Sequence, residues 1–157
     1  MNLSVEKMNK SHAAEILGWR YVEPYGLYNN ELTEDSLKEM LDNDYFVLLD
    51  EEELAGYFCI GKSAQVPIGH QINAYSEDRM DIGLGMKPEL TGQANGYAFC
   101  LFIFNHLEQT YHASHQRLTV ATFNKRAIHL YKKLGFTKQK EFHNGSIEFI
   151  TMVRKTE

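Results

Sequence analysis

A polar loop with two glycines precedes a long apolar segment in the stretch PELTGQANGYAFC, from Pro88 to Cys100. The free backbone N–H groups of such a loop and the positive end of the following helix point at one spot, where an anion such as a phosphate would bind. Gly92 and Gly96 lack Cβ atoms, so a ligand can approach the backbone closely there. An ordinary tight connection before a helix would look the same, so the loop alone has two interpretations.

A second candidate lies in the stretch VATFNKRAIHLYKKLGF, from Val120 to Phe136. Asn124 is placed to cap a helix, and Tyr131 follows two turns later on the same inward face, where it could also be an ordinary core tyrosine. Lys125 and Arg126 in the first turn oppose the helix dipole by roughly 0.3 to 1 kcal/mol each. Phosphates of a ligand would offset that cost, and plain solvated charge is the alternative.

The spelling N-x-x-A-x-x-x-Y-x-x-x-G-F after a strand resembles the C-terminal motif of the GNAT superfamily of N-acetyltransferases. The chain carries it in Asn124, Ala127, Tyr131, Gly135 and Phe136. The acetyl-coenzyme A (acetyl-CoA) loop of that superfamily is written R/Q-x-x-G-x-G/A after a turn like Pro88-Glu89-Leu90. The resemblance implies an enzyme that uses acetyl-CoA, with Tyr131 protonating the departing thiolate.

The cofactor loop can be aligned in two ways. When the pattern is aligned in register with Pro-Glu-Leu, it begins at Thr91, and Ala94 replaces its first glycine. When the alignment is shifted by two residues, the pattern runs from Gln93 to Ala98 and every position matches. Neither alignment supplies a cationic side chain, so the resemblance implies binding through backbone amides and polar side chains. The residues assigned to the cofactor are Gly85, Met86, Thr91, Gly92, Gln93, Ala94, Asn95, Gly96, Asn124 and Ala127.

The strand before this loop alternates strictly, with Asp81, Gly83 and Gly85 on the side opposite Met80 and Ile82. In the superfamily this strand separates from its neighbour after a bulge and pairs with the pantetheine arm, at the positions that Gly85 and Met86 occupy here. A glycine inside a strand independently indicates a bulge or a close approach.

A primary amine near pKa 10 costs about 4 kcal/mol to deprotonate at pH 7, so a nearby base is useful. Asp81 is the candidate, since Asp81-Ile82-Gly83 resembles the acidic position that opens this strand in many relatives. Either Asp81 or a water that it orders would accept the ammonium proton. The alternative for Asp81 is an exposed strand-end carboxylate in a surface ion pair.

An aromatic segment with Pro and Gly, WRYVEPYGLY, could line the pocket of the amine acceptor. Its rings and one carboxylate suit a cationic group. Equally, the segment could be a lid packed on the core. The residues assigned to the acceptor are Trp19, Tyr21, Glu23, Tyr25 and Tyr28.

Composition limits the class of protein. A length of 157 residues predicts one domain over residues 1–157, and a net charge of −5 with scattered Lys and Arg argues against nucleic acid and suits a cationic substrate. No segment approaches the roughly 20 apolar residues that span a bilayer, so we expect no membrane partner and a cytoplasmic location. Cys59 and Cys100 lie in apolar runs as reduced core thiols, and no residues show metal-ligand spacing, so no metal is expected.

The stretch from Gly56 to Ser63 spells G-x4-G-K-S, the pattern of a nucleotide-binding phosphate loop. That loop needs a flexible turn followed directly by a helix. Residues 57–60 are strand formers and no helical period follows Ser63, so we reject this interpretation.

Periodicity predicts the elements that position these residues. Predicted strands cover Asn2–Met8, Tyr45–Leu49, Leu54–Ile60, Arg79–Met86, Arg117–Ala121, Phe136–Phe142 and Ser146–Arg154. Predicted helices start at the caps Ser11 and Thr33 and cover Gly96–Tyr111 and Lys125–Leu134. The last hairpin is expected to turn at His143-Asn144-Gly145, because Asn-Gly readily takes positive φ. Hairpins mixed with βαβ crossovers predict an α/β (α+β mixed sheet) fold with helices on both faces. The resemblance implies a GNAT-like single domain of about six to seven strands.

These residues together predict a GNAT-like N-acetyltransferase that moves the acetyl group of acetyl-CoA directly to a primary amine, without an acyl-cysteine. The alternative is a non-catalytic acyl-CoA-binding sensor or regulatory module. The acceptor is open among polyamines, aminoglycosides, amino acids and peptide N-termini. A homodimer is one of the oligomeric states left open.

Overall fold

The structure is a computed structural model of the chain and describes residues 1–155. Within that range the strands are β1 (Leu3–Lys7), β2 (Tyr45–Asp50), β3 (Glu53–Ile60), β4 (Met80–Met86), β5 (His115–Ala121), β6 (Thr137–Asn144) and β7 (Ile147–Lys155). The α helices are α1 (Lys10–Leu17), α2 (Glu34–Asp42), α3 (Gly96–Tyr111) and α4 (Lys125–Lys133). Short 3₁₀ helices cover Tyr25–Tyr28, Gly61–Ala64, Pro67–Ile72 and Pro88–Leu90. Every predicted strand and helix is present, with ends shifted by no more than about two residues, as expected for boundaries.

Side-chain caps set where the first two helices begin. Thr33 caps α2 as predicted, and it exchanges hydrogen bonds with Ser36 in a capping box. The predicted cap Ser11 is wrong, because α1 starts before it. Asn9 has the extended backbone of an N-cap, and its Oδ1 accepts a hydrogen bond from the N–H of His12 at 2.8 Å.

The contacts divide the chain into two compact units, and unit 1 comprises residues 1–59 and 84–98. Its strands lie in the order β1, β2, β3 and the C-terminal part of β4. β1 and β3 each pair antiparallel with β2. The register of the β2–β3 pairing shifts between Leu48 and Leu49. Apolar side chains from α1, α2 and these strands form its buried core, which contains Met8, Ala13, Ile16, Leu17, Trp19, Met40, Val47, Leu49 and Leu54. The predicted β2–β3 hairpin is therefore confirmed.

Unit 2 comprises residues 60–83 and 99 onward. Its strands lie in the order β4 (N-terminal part), β5, β7 and β6. β4 pairs parallel with β5 at Met80 with Gln116 and at Asp81 with Arg117, whereas β7 pairs antiparallel with both β5 and β6. Parallel and antiparallel pairings together give the mixed, seven-stranded sheet that the sequence predicts.

The long apolar helix α3 is buried along much of its length, as its composition predicts. Its buried side chains are Phe99, Cys100, Ile103, Phe104 and Leu107. Within residues 1–155, no helix has both the length and the apolar character needed to cross a membrane. One domain over residues 1–157 and a cytoplasmic location stay predictions.

The β6–β7 hairpin turns one residue later than predicted. Asn144 is the last residue of β6 and pairs with Ile147, so the two-residue loop is Gly145-Ser146. Gly145 has a φ of 64°, which suits glycine. A hairpin loop with glycine at its first central position needs positive φ at that residue alone, so Asn144 can stay in the strand.

The rejected nucleotide-binding pattern lies in β3 and the turn after it. Gly56 to Ile60 belong to β3, and the Gly-Lys-Ser part forms a 3₁₀ helix of four residues. A strand followed by one tight turn cannot wrap a phosphate as a phosphate loop does. The structure confirms the rejection.

Candidate functional site

The predicted anion loop follows the 3₁₀ helix Pro88–Leu90 and leads directly into α3. Three of its polar side chains donate hydrogen bonds to backbone carbonyls of that turn: Thr91 to Pro88 at 2.7 Å, Gln93 to Glu89 at 2.7 Å and Asn95 to Leu90 at 3.0 Å. These bonds hold the loop in one conformation and engage the Thr91 hydroxyl proton and one N–H of each side-chain amide. The backbone N–H groups of the loop are therefore the main donors that it can offer an anion.

Two residues of the loop have positive φ, Gly92 at 71° and Ala94 at 62°. For alanine this left-handed conformation costs roughly 1–2 kcal/mol. The acetyl-CoA pattern has a glycine where Ala94 lies in the Pro-Glu-Leu alignment, whereas the shifted alignment puts that glycine at Gly96, the first residue of α3. The backbone thus favours the Pro-Glu-Leu alignment, in which Thr91 is the first residue of the pattern.

The N-terminus of α3 is suited to an outside anion. The helix is 16 residues long, and its first turn, from Gly96 to Phe99, is uncharged. The N–H groups and positive partial charge of this end are not neutralised by a carboxylate on the same turn. Backbone donors of the loop and the helix end together fit a diphosphate.

Two tyrosines lie beside the end of β4. The ring of Tyr57 in β3 lies so close to Gly85 that a Cβ there would meet the ring Cζ at 2.8 Å and Oη at 3.0 Å. This is the close approach that a glycine inside a strand indicates. The hydroxyl of Tyr21 donates to the carbonyl oxygen of Met86 at 2.7 Å.

The parallel register of β4 with β5 is short. Among the described residues of unit 2 it pairs Met80 and Asp81, and it does not continue at Ile82 and Gly83. The resemblance implies that this strand separates from its neighbour, and a register that ends early is consistent with it.

Asp81 is buried in an ion pair. It is 4% exposed and Arg117 is 1% exposed; Nε of Arg117 donates to Oδ1 at 2.6 Å and Nη2 to Oδ2 at 2.8 Å. Nε2 of Gln65 donates to Oδ2 as well, at 2.9 Å. The alternative of an exposed surface pair is therefore wrong, because the pair exists but lies in the interior. The role of Asp81 as proton acceptor stays a prediction.

A hydrogen-bond chain leads from Asp81 to the exposed His70. Oε1 of Gln65 lies 2.8 Å from Nε2 of His70, and an amide oxygen accepts hydrogen bonds but cannot donate them. The tautomer with its proton on Nε2 of His70 is the one that completes this hydrogen bond. The ring of Tyr75 lies 5.1 Å from the His70 ring and 5.1 Å from the Arg117 guanidinium.

The sequence patterns did not predict this hydrogen-bond chain. An arginine inside the apolar strand HQRLTVA was the signal that could have indicated a buried ion pair at Arg117. Gln65 and His70 carry no such signal, because they lie in a connection without regular period.

Tyr131 faces inward on α4, as predicted, and is 8% exposed. Its ring centroid lies 6.5 Å from that of Phe104 in an edge-on arrangement and 6.2 Å from that of Phe136. Its carbonyl accepts hydrogen bonds from the N–H groups of Leu134 and Phe136, which end the helix. Aromatic packing thus fixes the ring, and the role of Tyr131 as proton donor stays a prediction.

The start of α4 has the predicted cap. Oδ1 of Asn124 accepts from the N–H of Ala127 at 3.1 Å. Lys125 and Arg126 occupy the first turn, where cations oppose the helix dipole. A bound phosphate would offset the destabilisation of the helix by these two cations.

Two of the five residues assigned to the acceptor face the interior of unit 1. Trp19 is buried in the core, its ring centroid lies 6.2 Å from that of Tyr57, and its Nε1 has no hydrogen-bond partner within the described part of the chain. Tyr21 packs partly buried against the same core. Such contacts are expected of the alternative in which the aromatic segment is a lid packed on the core.

Of the other three acceptor candidates, Glu23 is exposed, and Tyr25 and Tyr28 are partly buried. The Glu23 carboxylate folds back onto Gly26, where a Cβ would collide with it. Tyr25 and Tyr28 are partly buried ends of one 3₁₀ helix. Glycine at position 26 therefore lets the Glu23 carboxylate lie against the backbone of the helix that presents the two rings.

Both cysteines are buried and neither forms a disulfide, as predicted. Burial raises the pKa of the Cys100 thiol to about 12, so very little thiolate exists at neutral pH. In residues 1–155, no group of three or more His, Cys, Asp or Glu side chains could hold a metal ion.

Comparison with protein families matches the chain to the acetyltransferase (GNAT) family over residues 12–136. This range contains the aromatic segment, the anion loop and Tyr131. Among curated proteins, no sequence matches the chain significantly.

Solved structures share the fold at low sequence identity. A spermidine N-acetyltransferase SpeG chimera from Vibrio cholerae and hSSAT is 18% identical, with a TM-score of 0.72 over 99% of this chain and 96% of its own. An uncharacterized protein from Bacillus halodurans is 23% identical, with a TM-score of 0.77 over 98% and 83%. AAC(6')-Ib in complex with ribostamycin and coenzyme A is 16% identical, with a TM-score of 0.74 over 99% and 94%.

Proposed function

The chain belongs to the GNAT acetyltransferase family, and from that premise we propose that it is an N-acetyltransferase, which transfers the acetyl group of acetyl-CoA directly to a primary amine. The family match over residues 12–136 carries the proposal. Acetyl-CoA is the co-substrate that the family uses, and AAC(6')-Ib, which shares the fold, is solved with coenzyme A. That nitrogen is the accepting atom is proposed in addition to the family assignment.

The coenzyme diphosphate is proposed to bind at residues 91–96 and the start of α3. The left-handed Ala94, the engaged side chains and the uncharged first helical turn support backbone binding of an anion there. The pantetheine arm is assigned to Gly85 and Met86. Asn124 and Ala127 are assigned to the coenzyme at the start of α4, where the two cations of the first turn favour phosphate.

The acceptor is proposed to be a cationic amine. Unit 1, which contains the aromatic segment, has fourteen Asp and Glu against five Lys and Arg, whereas unit 2 has seven against eleven. An excess of carboxylates attracts cations and raises their local concentration. Trp19, Tyr21, Glu23, Tyr25 and Tyr28 are assigned to this acceptor. Enzymes with this fold include a spermidine N-acetyltransferase and AAC(6')-Ib with an aminoglycoside, and both ligands are polyamines by chemistry.

The proposed reaction is direct attack of the amine nitrogen on the thioester carbonyl carbon. The ammonium first loses one proton, which leaves the neutral nitrogen with a lone pair for attack. The C–N bond then forms, the C–S bond breaks, and Tyr131 gives its hydroxyl proton to the departing sulfur; the second proton that the nitrogen loses restores the Tyr131 hydroxyl through solvent. As acceptor of the first proton we favour a water over the Asp81 carboxylate, because both oxygens of Asp81 already accept hydrogen bonds. A buried Cys100 thiol with a raised pKa disfavours transfer through cysteine.

The test is release of free coenzyme A from acetyl-CoA over a panel of amines, each paired with its alcohol analogue. We expect at least one cationic amine to raise release above the hydrolysis seen without acceptor, and its alcohol analogue to have no effect. Mass spectrometry of the product should show one added acetyl group on nitrogen. Binding of acetyl-CoA without turnover on any amine would favour the sensor, and no binding would overturn the proposal.

A further inference from the structure

The peptide group between Met86 and Lys87 is hydrogen-bonded on both sides. The N–H of Lys87 donates to the carbonyl oxygen of Ala55 in β3 at 2.8 Å. The carbonyl oxygen of Met86 accepts from the hydroxyl of Tyr21 at 2.7 Å. In a planar trans peptide the N–H and C=O point in opposite directions, so the strand and the tyrosine hold this plane from opposite sides.

This peptide lies where β4 ends and the chain turns toward the anion loop. Met86 is the final residue of β4, and the carbonyl of Lys87 accepts from the N–H of Leu90 in the 3₁₀ helix that precedes the loop. A rotation of the 86–87 plane would change the direction in which residues 88–96 leave the strand. The Tyr21 hydroxyl opposes that rotation.

Tyr21 is itself held in place. Its backbone N–H donates to Oδ1 of Asn29 at 2.7 Å, and its ring packs against the core of unit 1. Burial raises the pKa of Tyr21 to about 12, and Glu89 adds to this effect, so the hydroxyl keeps its proton at neutral pH. A phenylalanine could fill the same space, and the hydroxyl contributes the bond to Met86.

Resting on the proposed function, we propose that Tyr21 is a positioning residue, which fixes the end of β4 and the coenzyme loop through the Met86 carbonyl. Tyr21 also belongs to the aromatic segment assigned to the amine. One hydrogen bond thus joins the acceptor segment to the coenzyme strand.

The test compares Tyr21→Phe with Tyr45→Phe. Tyr45 packs on the same core, and its hydroxyl donates to Glu39 at 2.7 Å, so both variants lose one hydroxyl hydrogen bond of equal length. Calorimetry measures the Kd of coenzyme A for wild type and both variants, and thermal unfolding measures their Tm. We expect similar Tm losses, but a Kd that rises between about twofold and tenfold in Tyr21→Phe alone.

Equal Kd values in the two variants, with wild type binding coenzyme A, would overturn this inference and leave the proposed function standing. A wild-type protein that binds no coenzyme A would overturn the proposed function, and this inference with it. A merely structural role for the Tyr21 hydroxyl would lower Tm without changing Kd.

Discussion

Arg117 and Asp81 form a buried two-point ion pair, with nitrogen–oxygen distances of 2.6 and 2.8 Å. The same two residues face each other in the parallel register of β4 and β5. Nη1 of Arg117 also donates to the carbonyl oxygen of Glu77 at 3.1 Å. One guanidinium therefore joins the two strands and the segment that enters β4.

Replacing Asp81 by Asn should lower the free energy of unfolding by about 3–5 kcal/mol, because a buried guanidinium loses its counter-charge. Urea denaturation followed by circular dichroism measures the change. The double variant Asp81→Leu with Arg117→Met is the matched control and should recover most of the stability, since an apolar pair needs no counter-charge. A stability of Asp81→Asn equal to wild type would contradict the role of the buried pair.

The same variant separates the two candidates for proton acceptor. If a water accepts the proton, kcat of Asp81→Asn per folded molecule should stay within about tenfold of wild type, whereas loss of a general base costs about 10²–10⁴-fold. Steady-state kinetics with the best amine of the panel, at a temperature where the variant is folded, gives the answer. A loss in the larger range would assign the base to Asp81 itself.

Tyr131→Phe should lower kcat by about 10²–10⁴-fold and keep the Kd of coenzyme A, because it removes a proton donor and leaves the aromatic packing with Phe104 and Phe136. Tyr111→Phe, an exposed position at the end of α3, is the control and should behave as wild type. Unchanged turnover in Tyr131→Phe would mean that Tyr131 is a core tyrosine.

Gly85→Ala should destabilise unit 1 by about 1–3 kcal/mol, since the new Cβ would collide with the partly buried ring of Tyr57. The collision should be relieved when Tyr57 is shortened to Leu. A double-mutant cycle from urea denaturation should therefore give a coupling free energy of about 0.5–3 kcal/mol between the two positions. Additive effects would show that the ring does not constrain Gly85.

Ala94→Gly should keep coenzyme A binding and raise stability by up to about 1 kcal/mol, because glycine adopts positive φ without strain. Ala94→Val should weaken both, since a β-branched residue strongly disfavours that conformation. The same change at Ala14 in α1, which is not assigned to any ligand, is the control. Calorimetry with coenzyme A that ranks Ala94→Val equal to Ala14→Val would contradict the Pro-Glu-Leu alignment.

Alkaline pH should destabilise the protein through Cys100, which is 2% exposed. Burial raises its pKa from 9.0 to about 12, so the unfolded chain releases this proton first. The stabilising contribution is complete below the unfolded pKa and is lost as pH rises toward the folded pKa, at up to about 1.4 kcal/mol per pH unit. Urea denaturation between about pH 8 and pH 10 should show a shallower loss in Cys100→Ala than in wild type. Parallel losses would contradict this prediction.

The sequence by itself determined the elements, with their ends to within about two residues. Alternation at Met80–Met86, the apolar length of α3 and the caps Thr33 and Asn124 are local features, and a local pattern is read from neighbours in the chain. The inward direction of Tyr131 followed from helical spacing in the same way. The errors at Ser11 and at the last hairpin were shifts of one or two residues, where several neighbours could serve as cap or turn.

Only the tertiary structure decided which distant residues contact these side chains. Arg117 meets Asp81 from 36 residues away, and Tyr21 meets Met86 from 65 residues away. No sequence periodicity links such positions, because their contact depends on the order of the strands in the sheet and on the paths of the connecting loops. The sequence could indicate Asp81 as a candidate base and Tyr21 as an aromatic residue of the acceptor segment. The guanidinium that Asp81 contacts and the Met86 carbonyl that Tyr21 contacts were fixed by packing over long separations.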